Sequence, residues 1–206
     1  MAKSLTHMRE LGYWLNPFCT LTDEQWVEIG YLHPLLVAGV ESGRNLQLLG
    51  AKGAGKTTAL RLIAERLEDD GLKVMYEYLP EGQRYFVSET AGLDVFILDE
   101  AQRLSWWQRR RLWRVGGDMR LIVSSHEDVG RWLHEPLTMD VEQVHTVAHW
   151  RQMIGRRLAY FARPDVARVM LSEEAIAYLH GRFAPDFRAA EFFLYEVWEG
   201  GDEVVV

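Results

Sequence analysis

Apolar positions recur along the chain with two different periods. After a turn at Glu41-Ser42-Gly43-Arg44 comes a short apolar run, Leu46, Leu48 and Leu49, ending at Gly50. Leu60, Ile63, Ala64 and Leu67 fall at i, i+3, i+4 and i+7, which predicts a helix beginning near Lys56 and stopped by Asp70-Gly71. Val74, Tyr76 and Tyr78 alternate as in a strand, closed by Pro80-Glu81-Gly82. Asp94–Leu98, Arg120–Ser124 and Val141–Val147 are further predicted strands, with helical stretches between them. Strands alternating with helices predict an α/β fold, a parallel sheet with helices on both faces.

From His149 onward the pattern is helical only. Trp150, Ile154, Leu158 and Phe161 make one face, and Ile176, Leu179 and Phe183 a second. A third helix is predicted to start at Asp186 as N-cap and to carry Phe187, Ala190, Leu194 and Val197. The expected division is an α/β domain over residues 1–148, with an N-terminal helical segment, and a three-helix domain over 149–206.

Composition narrows the function classes. With 206 residues, 48% hydrophobic and 26% charged, the chain is globular in character. Its net charge of −7 excludes a global basic field for nucleic acid, so any such contact needs a local patch. The single cysteine, Cys19, excludes an internal disulfide and a zinc cage of several thiolates. The longest apolar run, around Leu35 to Val40, falls far short of the roughly 20 residues of a membrane span. The amino end has no apolar signal segment, and a soluble cytoplasmic protein is expected.

Candidate chemistry centres on Gly50-Ala51-Lys52-Gly53-Ala54-Gly55-Lys56-Thr57, followed by Thr58. This is G-x-x-x-x-G-K-[ST], placed after a strand and opening a helix as a phosphate-binding loop requires. Gly50, Gly53 and Gly55 permit the backbone angles that aim successive N–H groups at phosphate oxygens. The helix offers its positive end to the same anion. Lys56 is placed to reach the β- and γ-phosphates, and the Thr57 hydroxyl to ligate Mg²⁺. Val95-Phe96-Ile97-Leu98-Asp99-Glu100 is an apolar run ending in two carboxylates, at the sheet end where α/β folds bind ligands. Asp99 is the second candidate for Mg²⁺, and Glu100 the candidate to polarise the water that attacks the γ-phosphate.

These motifs, with the strand Arg120-Leu121-Ile122-Val123-Ser124-Ser125-His126 and the three-helix tail, resemble an AAA+ ATPase from about Arg44 to Glu199. Asp99-Glu100-Ala101-Gln102-Arg103-Leu104 is similar to the D-E-A-Q-x-L of bacterial transposition-regulator and secretion-type ATPases. Pro185-Asp186-Phe187-Arg188-Ala189-Ala190-Glu191 looks like the lid of replication initiators and helicase loaders. The resemblance implies a P-loop sheet followed by a helical lid, ATP and Mg²⁺ as ligands, and a homo-oligomer. It implies a polar sensor at Ser125 and His126 and a lid arginine at Arg188. It also implies an arginine finger donated to a neighbouring subunit, with Arg131 the candidate and Arg114 and Arg120 open alternatives. Adenine contacts are expected between Leu11 and Pro34, with Tyr13, Pro17 and Phe18 as clamp candidates. No N-K-x-D-like guanine reader is visible, which favours ATP over GTP.

Ser105 to Arg114 is the one dense basic and aromatic stretch. It reads either as a nucleic-acid contact or as a helix with its tryptophans in the core and its arginines solvated. The expected function is an AAA+ ATPase driving conformational or assembly changes, on DNA in transposition, replication or defence, or on a protein partner. A small-molecule P-loop kinase and a nucleotide-gated scaffold without hydrolysis are the alternatives.

Overall fold

The computed structural model describes residues 2–200; residues 1 and 201–206 at the ends of the two expected domains lie outside them. The elements in chain order are α1 (Ala2–Glu10), α2 (Asp23–Ile29), α3 (Pro34–Glu41), β1 (Leu46–Leu49), α4 (Lys56–Asp69) and β2 (Val74–Tyr78). Then follow β3 (Val95–Asp99), α5 (Trp106–Val115), β4 (Arg120–Ser125), β5 (Leu137–Asp140), α6 (Val147–Phe161), α7 (Glu173–Phe183) and α8 (Phe187–Trp198). They form two compact units, a sheet unit over Leu32–Val144 and a helical unit over residues 2–31 with 145–200. No helix among the described residues is long and apolar enough to cross a membrane.

The sheet is wholly parallel, in the order β2-β3-β4-β1-β5. Alternation along each strand decides which helix it meets. Val95, Ile97, Ile122, Leu46 and Leu48 join Leu60, Ile63 and Leu67 of α4 in one core. Phe96, Leu98, Leu121 and Val123 join Leu112 of α5 in the other. β3 is buried along its whole length, as expected of a strand covered on both faces.

One predicted strand is not formed. Over Val141–Val144 the chain makes a 3-10 turn, and Val147 opens α6. The Asp140 carboxylate accepts the Glu142 N–H at 2.9 Å, and the Thr146 hydroxyl caps α6 by accepting the His149 N–H. These local bonds turn the chain where β-branched residues alone read as a strand. The edge strand is instead Leu137–Asp140, paired with β1.

In the helical unit, the predicted faces of α6, α7 and α8 make one core around Trp150, Leu158, Leu179 and Leu194. Asp186 caps α8 as expected, accepting the Ala189 N–H at 3.1 Å. The N-terminal segment belongs to this unit, unlike the expected grouping with the sheet. Met8, Tyr13, Phe18 and Ile29 lie in its core, and the Trp14 N–H donates to the Phe161 carbonyl at 2.9 Å. Its amphipathic residues carry no signal of which neighbour they will cover.

Candidate functional site

Gly50–Thr57 bridges β1 and α4 at the carboxyl end of the sheet. Three of its glycines are required by geometry, Gly53 among them with φ 86°. Gly55 caps α4 with φ 78°, in the left-handed region. At Gly50 a Cβ would stand 2.6 Å from Cγ2 of Val141, too close for any side chain. Lys56 is buried, and its ammonium donates to the carbonyls of Gly50 and Ala51, both at 2.8 Å. Burial pushes its pKa down, opposed by the charges of Glu100, Asp99 and Glu142. Thr57 and Thr58 are half-buried in the first turn of α4, while Ala51 and Lys52 are exposed. The Ala51 N–H is held by the Glu142 carboxylate at 2.8 Å, which ties the loop to the turn after β5.

Asp99 ends β3 fully buried. The Tyr76 hydroxyl donates to its Oδ2 at 3.0 Å and the Ser124 hydroxyl to its Oδ1. Burial and the adjacent Asp99 charge push the Tyr76 phenol up, so it remains a donor. Ser124 also accepts the Glu100 N–H at 3.0 Å. Glu100 has φ 66°, a conformation unfavourable for a side-chain-bearing residue and concentrated at functional positions. Its Oε2 accepts from Gln102 at 2.7 Å and pairs with Arg103 at 3.1 Å. Its Oε1 lies 3.3 Å from Nε2 of His126, whose Nδ1 is 3.4 Å from the Lys56 ammonium. The charged lysine offers only hydrogens, so His126 accepts at Nδ1 and carries its own hydrogen at Nε2, toward Glu100. Lys56, His126 and Glu100 thus form one connected polar chain at the ends of three structural segments.

The remaining predicted residues fall elsewhere. Ser125 points its hydroxyl into the turn after β4, donating to the Glu127 carbonyl at 2.5 Å and accepting the Glu127 N–H at 3.0 Å. Its neighbour Ser124, absent from the sequence expectation, is the hydroxyl at Asp99. Tyr13 and Phe18 are buried in the helical unit, Phe18 edge-on to Trp198 at 5.1 Å, so neither ring offers a face to an adenine. The Pro17 carbonyl accepts from Arg157 at 2.9 Å. Arg188 is exposed on α8 in the helical unit. Arg131 is exposed in the 3-10 turn Gly130–Trp132, its guanidinium over the Trp132 ring at 5.3 Å.

The core-packed reading of 105–114 fails. In α5 only Leu112 is buried, while Trp106, Trp107 and Trp113 are 49%, 74% and 42% exposed. Gln108, Leu112 and Val115 make the inward stripe, and the tryptophans lie off it.

No family model matches the sequence, and no curated protein matches it. Among solved structures, a replication initiator DnaA bound to AMPPCP and single-stranded DNA superposes with a TM-score of 0.59 at 15% identity, covering 88% of this chain and 65% of that one. AMPPCP-bound DnaA from Aquifex aeolicus gives 0.56 at 16% identity, over 80% of this chain and 59% of the other. Domain III of Thermotoga maritima DnaA gives 0.55 at 16% identity, over 91% and 95%. The chain has the AAA+ fold. It spans less than two thirds of the length of the first two structures and nearly all of the third, which is a single domain. Within this AAA+ fold, Gly50–Thr57 and Asp99-Glu100 end adjacent regions of one sheet, with β4 between β1 and β3.

Proposed function

We propose that the chain binds ATP at Gly50–Thr58 and hydrolyses it, with Glu100 as the base. The observation that carries this reading is the chain from Lys56 through His126 to Glu100. It sets a cation and a carboxylate at either side of one imidazole, which fits a γ-phosphate met by Lys56 and a water held beside Glu100 and His126. The proton of that water passes to Glu100 as its oxygen bonds to the γ-phosphorus and the bond to the ADP oxygen breaks. His126 takes the part of the polar sensor; Ser125 has a turn-closing part instead.

The donor set suits Mg²⁺. Thr57 and Asp99 supply a hydroxyl and a carboxylate, hard oxygens of the kind this ion takes alongside phosphate oxygens. Among the described residues no cluster of three or more His, Cys, Asp or Glu side chains forms a metal cage of its own. That agrees with an ion shared with a nucleotide rather than held by protein alone. When bound, it neutralises charge on the phosphates; Tyr76 and Ser124 fix the Asp99 carboxylate that would meet it.

Arg188 is proposed as the residue that couples the helical unit to nucleotide state, and Arg131 as the finger offered to a neighbouring subunit of a homo-oligomer. The helical residues after the sheet follow it in sequence instead of interrupting it, which supports this design over a kinase with an inserted lid. The proposed work is on DNA, as one similar structure is described with single-stranded DNA.

Phosphate release by wild type and Glu100→Gln tests the reading. The variant is expected to keep ATP binding and lose turnover by about 10²- to 10⁴-fold, the scale of a positioned base. Unchanged turnover removes Glu100 from the role. Mixing Arg131→Ala with Glu100→Gln tests the shared site, because a mixed interface unites an intact Glu100 with an intact Arg131. Activity above either parent supports the finger; mixed oligomers without rescue overturn it.

A further inference from the structure

The α5 face left out of the site carries chemistry of its own. Trp106, Arg110, Trp113 and Arg114 fall at i, i+4, i+7 and i+8, on the side of the helix opposite its core stripe of Gln108, Leu112 and Val115. Toward the carboxyl end of α5 this side opens into a cleft of about 560 Å³. Arg110, Arg114 and Arg131 line it together with Trp113, Trp132 and His134, and no carboxylate does. The neighbouring cleft, of about 410 Å³, differs in that Asp118 and Glu135 line it.

The cleft is held in shape. The Trp113 and His134 rings stack at 3.8 Å with 31° between planes, and Nε2 of His134 meets the Trp113 carbonyl at 2.8 Å. The opposing segment is tied to β1 and the turn before it. Gln47 accepts the Val129 N–H at 2.8 Å, and Asn45 donates to the His134 carbonyl at 2.8 Å. A rigid cleft loses little entropy on binding.

We propose that this face binds single-stranded nucleic acid, phosphates on Arg110 and Arg114 and bases against Trp113 and Trp106. The proposal rests on the proposed action of the ATPase on DNA, while the binding chemistry stands on the cleft alone. The Arg110 and Arg114 guanidiniums, with no carboxylate lining the cleft among the described residues and on a chain of net charge −7, make a local anion site. Aromatic planes beside them match a ligand that is both anionic and π-faced. Trp106 and Trp113 are spaced roughly 10 Å along the helix axis, which suits two separated bases of one strand rather than one free nucleotide. A duplex hides its base faces in its own stack, so only a single strand satisfies the tryptophans.

Fluorescence anisotropy of a short labelled mixed-sequence oligodeoxynucleotide, single-stranded or annealed to its complement, tests this. Wild type is expected to hold the single strand more tightly than the duplex. Trp113→Ala should weaken single-strand binding by about 5- to 150-fold, the range for loss of one base stack, and Trp113→Phe should restore most of it. Arg110→Gln with Arg114→Gln should lower the slope of log affinity against log salt by about 0.7 for each phosphate no longer neutralised. Circular dichroism establishes that each variant is folded. Lys56→Ala, which disables the phosphate loop, should keep strand binding, so failure of the ATPase reading and failure of this one are separable. The proposal is overturned by absence of single-strand binding, by equal or tighter duplex binding, or by indifference to both sets of variants. Displacement of the strand by poly-glutamate at matched charge would point to an acidic protein partner. Displacement by free ATP in Lys56→Ala would point to a mononucleotide site. Either result overturns it.

Discussion

Ser124 and Ser125 are adjacent, chemically identical and both fully buried, yet they face opposite sides of the sheet and serve different structures. Ser124→Ala removes a donor from Oδ1 of Asp99 and the acceptor of the Glu100 N–H at once. A hydrogen bond to a charged group contributes about 1.5–3 kcal/mol, and a buried N–H left without an acceptor costs about 1–3 kcal/mol. Tyr76 still holds the other Asp99 oxygen, which softens the loss, and about 3–4 kcal/mol is expected. Ser125→Ala releases only the N–H and carbonyl of Glu127, an exposed residue whose groups regain water, so about 0.5–1 kcal/mol is expected. Urea unfolding followed by circular dichroism compares the two midpoints at a common m-value, which cancels most errors of extrapolation. Hydrolysis should fall further in the Ser124 variant, since Asp99 loses one of its two anchors and the Glu100 N–H its acceptor. A Ser125→Ala cost equal to or above that of Ser124→Ala would refute the assignment of the two hydroxyls.

Three further outcomes are expected. Lys56→Ala should abolish ATP binding while leaving the fold intact, read by fluorescent-nucleotide titration and circular dichroism; retained tight binding would end the phosphate-loop assignment. Gly50→Ala should weaken nucleotide binding because its methyl meets Val141, and Val141→Ala in the same chain should recover part of the loss. Arg157 is buried, donates to the Pro17 and Cys19 carbonyls at 2.9 and 2.6 Å, and pairs with Glu191; burial pushes its pKa down to about 10. Arg157→Ala should cost about 3–5 kcal/mol by stranding Glu191, and Arg157→Met with Glu191→Met should be the milder change in thermal denaturation.

Spacing alone located the loop Gly50–Thr57 between a strand and a helix, the acidic pair at the end of β3, and the three tail helices with their cap at Asp186. Each is a local pattern whose residues lie within a few turns of one another. Strand parity was also legible, since 74/76, 95/97/99 and 122/124 each share a face by alternation. What alternation leaves open is register between strands, and register is what carries Tyr76 and Ser124 to Asp99. The same limit applies to α5. Composition showed tryptophans among arginines, but only packing chose Leu112 and its neighbours as the inward stripe and left the rings outside. The N-terminal segment shows the limit most plainly. Its apolar residues had to be covered, and nothing local says by what; docking against α6 and α8 was decided by surfaces that exist only once those helices have folded.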